Sequence, residues 1–305
     1  MLNIAFFTEA GTNRGLGHLT RLYTISEAFK EHTVEFFLDS DLNYEHQFQN
    51  IISFSWENFF LQKKYDIIFI DSYEAPLEIY ESIHNNATLA IYIDDYKRLT
   101  YPKGVIINFS PDAQQNFYPN INTQHSYLLG LKYTPIRSIF KKIKVQKEKQ
   151  VFIMLGGTDT KDLTLVIAKY LQKKMLKIVV VTNNKQDVLE LENLPNITVL
   201  FRPDDYTLVF EMSKSSHAIA TASMSVYELA FTKTKTTIIA VSKNQIIGAK
   251  TYLRHSLVQH YVNIENEHYL EELFYTLKTD SLKLTPPVDA EGAQRIYHSV
   301  TRQFI

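Results

Sequence analysis

The run Asn3-Ile-Ala-Phe-Phe-Thr8, continued by Glu-Ala-Gly-Thr-Asn-Arg-Gly-Leu-Gly to His18, decides the fold. Its first half is apolar and β-prone, as in a parallel strand covered on both faces. Glycines at 11, 15 and 17 break that strand, and Leu19, Leu22, Ile25 and Phe29 then recur at helical spacing. The same grammar returns mid-chain: Val151–Leu155, a turn at Gly156-Gly157, then Leu163, Val166, Ile167 and Leu171. Further strand candidates are Val34–Leu38, Asp66–Ile70, Leu89–Ile93, Val105–Asn108, Ile178–Thr182, Ile197–Phe201, Ala218–Thr221 and Thr237–Val241. Strands alternating with helices predict an α/β protein with parallel sheets.

At 305 residues the chain is long enough for two domains. Lys141-Lys-Ile-Lys-Val-Gln-Lys-Glu-Lys149 precedes the second strand–glycine–helix start and reads as the border, or alternatively as a solvated helix end. The expected division is 1–145, 150–285, and a last amphipathic segment, 288–305, after Pro286-Pro287. Thirty-two Lys and Arg against 33 Asp and Glu give a net charge of -1, which argues against coating a nucleic acid. There is no cysteine, so disulfides, thiolate zinc sites and iron–sulfur clusters are excluded. The opening residues lack a basic segment, and no apolar run approaches the ~20 residues of a membrane span. The expectation is a cytoplasmic protein that needs no membrane and no obligatory protein partner.

The glycine turn before His18 lacks the third glycine of a dinucleotide fingerprint and the Gly-Lys-Ser/Thr of a Walker loop. It still opens a helix, where amides and the dipole favour an anion. A cationic histidine is disfavoured there, so His18 is expected neutral and able to act as a base, or else it merely packs or caps. Asp71, Asp94 and Asp95 follow strand ends, in Phe69-Ile-Asp71-Ser-Tyr73 and Tyr92-Ile-Asp94-Asp95. Strand-end aspartates can be turn formers, but three on the edge that carries His18 suggest a polar cleft in which Asp71 or Asp95 orients His18 or binds sugar hydroxyls. In the second half, Gly156, Gly157 and Thr158 could meet a diphosphate, as could Ser223, Met224 and Ser225 after the strand ending at Thr221. Glu228 could accept two ribose hydroxyls, or close a capping box with a preceding serine. No histidine shows a metal-ligand spacing, and there is no Asp-x-Asp motif.

In one order across almost the whole chain stand Gly15-Leu-Gly-His18-Leu-Thr-Arg21, Ile70-Asp71-Ser-Tyr73, Ile93-Asp94-Asp95, Leu129-Gly130-Leu-Lys-Tyr133, Gly156-Gly157-Thr158-Asp159, Ser223–Glu228 and Lys243-Asn244-Gln245. Together they resemble the UDP-sugar hydrolases of pseudaminic acid biosynthesis, which act on UDP-2,4-diacetamido-2,4,6-trideoxy-β-L-altropyranose. That family is grouped with glycosyltransferases of the GT-B type, near the lipid II-forming N-acetylglucosaminyl transferase. The resemblance implies a GT-B-like α/β fold of two Rossmann-like domains facing across a cleft, with the last helix crossing back to the first domain. It implies that His18 is the catalytic histidine and that Gly156, Gly157 and Ser223–Ser225 contact the diphosphate. Glu228 is then the ribose carboxylate, and Asn244 and Gln245 lie nearest the sugar and phosphates. Arg14, Gly17, Arg21, Tyr73, Asp94, Asn108, Tyr133, Thr158, Asp159 and Met224 complete the expected substrate contacts, with Asp71 and Asp95 beside His18. No cofactor and no metal are implied. The chain departs from the family at Asn108-Phe-Ser-Pro-Asp-Ala113 and in its longer first loop, Glu9–Arg14.

The expected reaction is attack on the anomeric carbon by water that His18 deprotonates, releasing UDP. One rival is a GT-B transferase using another acceptor, for which Phe54-Ser-Trp56-Glu-Asn-Phe59-Phe60 is the candidate membrane-facing patch. The other is a nucleotide-sugar binder without catalysis, against which the intact His18 and carboxylates speak.

Overall fold

The computed structural model describes residues 1–12, 14–44, 48, 50–156, 162–240, 243–278 and 287–304, without the side chains of Lys243, Asn244, Gln245, Ile247 and Gln303. The first elements are β1 (Asn3–Ala10), α1 (Gly17–Ser26), β2 (Thr33–Ser40), β3 (Ile51–Phe54), β4 (Tyr65–Asp71), α2 (Leu77–Asn86), β5 (Ala87–Ile93), β6 (Gly104–Asn108), α3 (Ala113–Phe117) and β7 (His125–Leu129). There follow α4 (Ile139–Lys142), β8 (Glu148–Met154), α5 (Leu163–Gln172), β9 (Ile178–Thr182), α6 (Lys185–Leu191), β10 (Ile197–Phe201), α7 (Asp205–Lys214) and β11 (Ser215–Ala220). The chain ends through α8 (Ser225–Phe231), β12 (Lys235–Ala240), α9 (Lys243–Arg254), β13 (His260–Asn263), α10 (Tyr269–Thr276) and α11 (Gly292–Thr301).

Two compact units result, one of Met1–Arg137 with Ala290–Ile305 and one of Ser138–Asp289. The border falls ahead of residue 145. Ile139–Lys142 belongs to the second unit because Phe140, 3% exposed, packs edge-on against Phe231 of α8. Each unit carries one sheet, in order β3-β2-β1-β4-β5-β6-β7 and β10-β9-β8-β11-β12-β13. Every strand pair in both is parallel. In each unit the chain runs outward from a central strand, then returns to that strand's other side. The reversal lies between β1 and β4 in the first unit and between β8 and β11 in the second. Open α/β sheets bind ligands beyond the carboxyl ends of their strands at such a reversal.

Alternation along β1 sends Ile4 and Phe6 to one face of the first sheet and Ala5 and Phe7 to the other. Leu19, Leu22, Ile25 and Phe29 cover the first face, all fully buried, together with Ile296 and Val300 of α11. Helix α11 docks where only a glycine fits, since a Cβ on Gly292 would lie 2.0 Å from the Thr134 carbonyl oxygen. On α5 the buried stripe is Leu163, Thr164, Ile167, Ala168 and Leu171, whereas Val166 is exposed, so the helix turns a different residue inward from the one its spacing suggested. The aromatic run at 54–60 is mostly packing. Trp56 is 7% exposed, and Phe54 and Phe59 pack against Phe7, leaving Phe60 as its exposed member. Among the described residues no helix is long and apolar enough to cross a membrane.

Candidate active site

Parallel register brings the first site together. β1 and β4 pair with Thr8 opposite Asp71, so Asp71 emerges beside the glycine turn that leads into α1. His18 is the second residue of α1, and its Nδ1 lies 2.7 Å from Asp71 Oδ1. Arg21, one turn on along the helix, grips the same carboxylate through Nε to Oδ2 at 2.5 Å and Nη2 to Oδ1 at 2.6 Å. The three side chains are 9%, 1% and 6% exposed, so they meet almost out of water. Burial alone would raise the pKa of Asp71, but the Arg21 guanidinium, joined by His18 when the imidazole is protonated and by hydrogen bonds from both, outweighs it and holds the carboxyl at about 2. An ionised carboxylate only accepts, so we assign the proton of His18 to Nδ1, which leaves a lone pair on Nε2. Arg21 Nη2 also lies 3.0 Å from Nδ1, but an Nδ1 without a proton would set its lone pair against Asp71 Oδ1 at 2.7 Å.

Arg21 carries the network to a second carboxylate. Its Nη1 donates to Asp95 Oδ1 at 2.8 Å, and Asp95 Oδ2 accepts from the Tyr73 hydroxyl at 2.5 Å. Burial favours neutral Asp95, but Arg21 prevails and lowers its pKa. The Tyr73 ring stands edge-on to His18, with centroids 4.3 Å apart and planes at 84°, and Tyr96 lies 5.6 Å beyond it. Of the two aspartates expected beside His18, Asp71 touches it directly, and Asp95 meets it through Arg21 and Tyr73.

Other expected residues take different places. Asp94 is 2% exposed and accepts from Lys97 N, Arg98 N and the hydroxyls of Tyr101 and Tyr118. It braces the turn after β5. Arg14 is held by Asp39 and Glu74, both at 2.7 Å. Asn108 is fully buried and accepts from Ser110 N at 2.8 Å. Tyr133 packs on the core face that α11 covers, and Gly17 is the first residue of α1. Glu9, which the sequence reading did not single out, lies buried at this edge and accepts from Trp56, Ser72 and Tyr73. A carboxylate inside an apolar strand run was its available signal.

The second unit builds its reversal point from small neutral groups. Gly156, at φ 95°, is a conformation glycine adopts freely, and a Cβ there would stand 3.6 Å from Thr221 Oγ1. Ser223 and Ser225 hydroxyls are 2.7 Å apart, and Glu228 is 5% exposed on α8. No capping box forms. Met224 is the N-cap and makes no side-chain cap bond, because Ser225 is already helical. Gly157, Thr158, Asp159, Val241 and Pro286 lie outside the described residues, as do the side chains of Asn244 and Gln245 on α9. Among the described residues no three His, Asp or Glu side chains are gathered so as to hold a metal ion.

Two Rossmann-like parallel-sheet units in one chain define the GT-B class of α/β protein, and solved structures of that fold align over nearly the whole length. Acinetobacter baumannii MurG aligns with a TM-score of 0.64 at 13% identity, covering 98% of this chain and 99% of that one. S. aureus MnaA, in a co-structure with UDP, gives 0.67 at 8% identity, covering 100% and 97%. At such identities the likeness is one of fold. No family model matches the chain.

By sequence the chain is similar to two proteins named as hydrolases of one UDP-sugar and to one named for spore coat polysaccharide biosynthesis. It is 27% identical over 246 residues to the pseudaminic acid cytidylyltransferase and UDP-2,4-diacetamido-2,4,6-trideoxy-beta-L-altropyranose hydrolase of Helicobacter pylori, covering 78% of this chain but 44% of that longer protein. It is 21% identical over 256 residues to the UDP-2,4-diacetamido-2,4,6-trideoxy-beta-L-altropyranose hydrolase of Campylobacter jejuni, covering 80% and 93%. Spore coat polysaccharide biosynthesis protein SpsG of Bacillus subtilis is 22% identical over 278 residues, covering 82% and 81%.

Proposed function

We propose that this chain is a UDP-sugar hydrolase that releases UDP from UDP-2,4-diacetamido-2,4,6-trideoxy-β-L-altropyranose or a close UDP-sugar. The observation that carries the proposal is the buried Asp71–His18–Arg21 arrangement at the first reversal point. Asp71 holds the Nδ1 proton, so Nε2 of His18 takes a proton from water as the water attacks the anomeric carbon. The bond from that carbon to the diphosphate oxygen breaks, and UDP leaves with the bonding electrons. The imidazolium formed is stabilised by ionised Asp71, and Arg21 keeps Asp71 ionised by offsetting its buried charge. Tyr73 and Asp95 contribute the neighbouring polar surface for the sugar.

In this reading the second unit holds UDP. Gly156 and the Ser223–Ser225 turn bring amides and hydroxyls to the diphosphate, and Glu228 takes the ribose hydroxyls. Those donors stand in for a cation, so turnover is expected to survive EDTA. The names of the relatives support the substrate class. Incubation of the protein with a panel of UDP-sugars, with no acceptor present, tests the proposal: rapid UDP release supports it, and release that requires an added acceptor replaces it with a transferase.

A further inference from the structure

Glu9 takes no part in the steps above. It lies near the carboxyl end of β1, is 1% exposed, and its carboxylate receives three donors. Tyr73 N donates to Oε1 at 2.7 Å, Trp56 Nε1 donates to Oε2 at 2.8 Å, and Ser72 Oγ also donates to Oε2. Ser72 and Tyr73 are the first two residues after β4. Ser72 Oγ in turn accepts from Glu74 N at 3.0 Å and Ala75 N at 2.8 Å. From the other side, Tyr80 donates to the Ser72 carbonyl at 3.2 Å, and Arg98 to the Ala75 carbonyl at 2.9 Å. The turn is therefore fixed from both flanks, and Tyr73 leaves it with its ring edge-on to His18 and its hydroxyl on Asp95.

We infer that Glu9 is a positioning residue: through the Tyr73 backbone it sets the ring that packs against His18. The kinetic side of this inference rests on the hydrolase reading, and the geometric side does not. Three donors need a group that only accepts, which a carboxylate is. Glutamine in its place must turn its NH2 toward either Tyr73 N–H or Trp56 Nε1–H. Removing the indole donor with Trp56→Phe leaves Ser72 Oγ as the remaining partner there, a hydroxyl that can turn its hydrogen away and share its lone pairs with the amide NH2, so the amide oxygen can face Tyr73 N–H again.

The test compares Glu9→Gln, Trp56→Phe and the double variant Glu9→Gln/Trp56→Phe, by kcat and KM for UDP release and by proton–nitrogen NMR of the His18 ring without substrate. Glu9→Gln is expected to lower kcat about 10- to 100-fold, as small misplacements in a site do, with KM unchanged and the His18 signals moved. Trp56→Phe leaves both at wild-type values, and the double variant restores the His18 signals and most of kcat. If Glu9→Gln does not fold, the double variant must fold with wild-type His18 signals. A double variant worse than either single one, or Glu9→Gln with unmoved His18 signals, overturns the inference. A wild-type protein that releases UDP from no UDP-sugar defeats the hydrolase reading instead, and the NMR arm still decides the role of Glu9.

Discussion

The two reversal points share one strand order and differ in chemistry. Beyond β1 and β4 stand an arginine, two aspartates, a histidine and a tyrosine bonded to one another, with His18, Asp71 and Arg21 out of water and Asp95 and Tyr73 on the more exposed side. Beyond β8 and β11 stand a glycine, threonine and serine hydroxyls, and one buried glutamate. Backbone topology offers the same location twice. In the proposed reading, side chains make one a place where a proton moves and the other a place where an anion rests. Small neutral residues let backbone amides approach phosphate oxygens, whereas paired buried charges fix a tautomer.

The largest effect should fall on the first site alone. His18→Phe is expected to lower turnover roughly 10²–10⁴-fold while UDP affinity by calorimetry stays unchanged, since it removes the proposed base and leaves the second unit intact. Loss of UDP binding in that variant would collapse the distinction between the sites. Next, Arg21→Met strands Asp71 as a buried charge without its cation, and denaturant unfolding should show a loss of about 3–5 kcal/mol. The matched change in the second unit, Ser223→Ala, removes one neutral hydrogen bond and should cost about 1 kcal/mol or less.

Acid separates the sites in the same direction. The folded pKa of Asp71, at about 2, lies below its unfolded value, so its contribution is fully present above that unfolded value and lost as pH falls toward 2. The amount is about 2 kcal/mol. Unfolding followed across this acid range should show that slope in the wild type and lose it in Asp71→Asn. The smallest effect concerns the second site. Glu228→Gln should weaken UDP binding about 10-fold, the value of one charge-assisted hydrogen bond, and leave the His18 ring signals unmoved.

The central strands were legible because burial on both faces demands unbroken apolar runs. β3, β7 and β13 were not, and all three are edge strands. Ile51-Ile-Ser-Phe54, His125-Ser-Tyr-Leu-Leu129 and His260-Tyr-Val-Asn263 are only partly buried, so polar residues interrupt them. β10 is also an edge, but Ile197-Thr-Val-Leu-Phe201 is β-branched enough to be read. In the site, Gly15-Leu-Gly17-His18 is a local motif and was visible. Its partner was narrowed to Asp71 or Asp95 but not chosen, because pairing Asp71 with His18 depends on the register of β1 against β4, more than fifty residues apart. Asp94 and Asp95 are adjacent and look alike in sequence, yet one braces a turn and the other faces Arg21 and Tyr73. Glu9 and Trp56 stayed hidden for the same reason, since their hydrogen bond joins residues that only folding brings together.

Hydrolysis in heavy-oxygen water, followed by mass spectrometry of both products, tests the central claim most directly. If His18 activates water against the anomeric carbon, UDP appears unlabelled and without any acceptor, the label enters the sugar, and His18→Phe forms both products roughly 10²–10⁴-fold more slowly. Label in the UDP phosphate, or UDP formation at the wild-type rate in His18→Phe, would contradict the account.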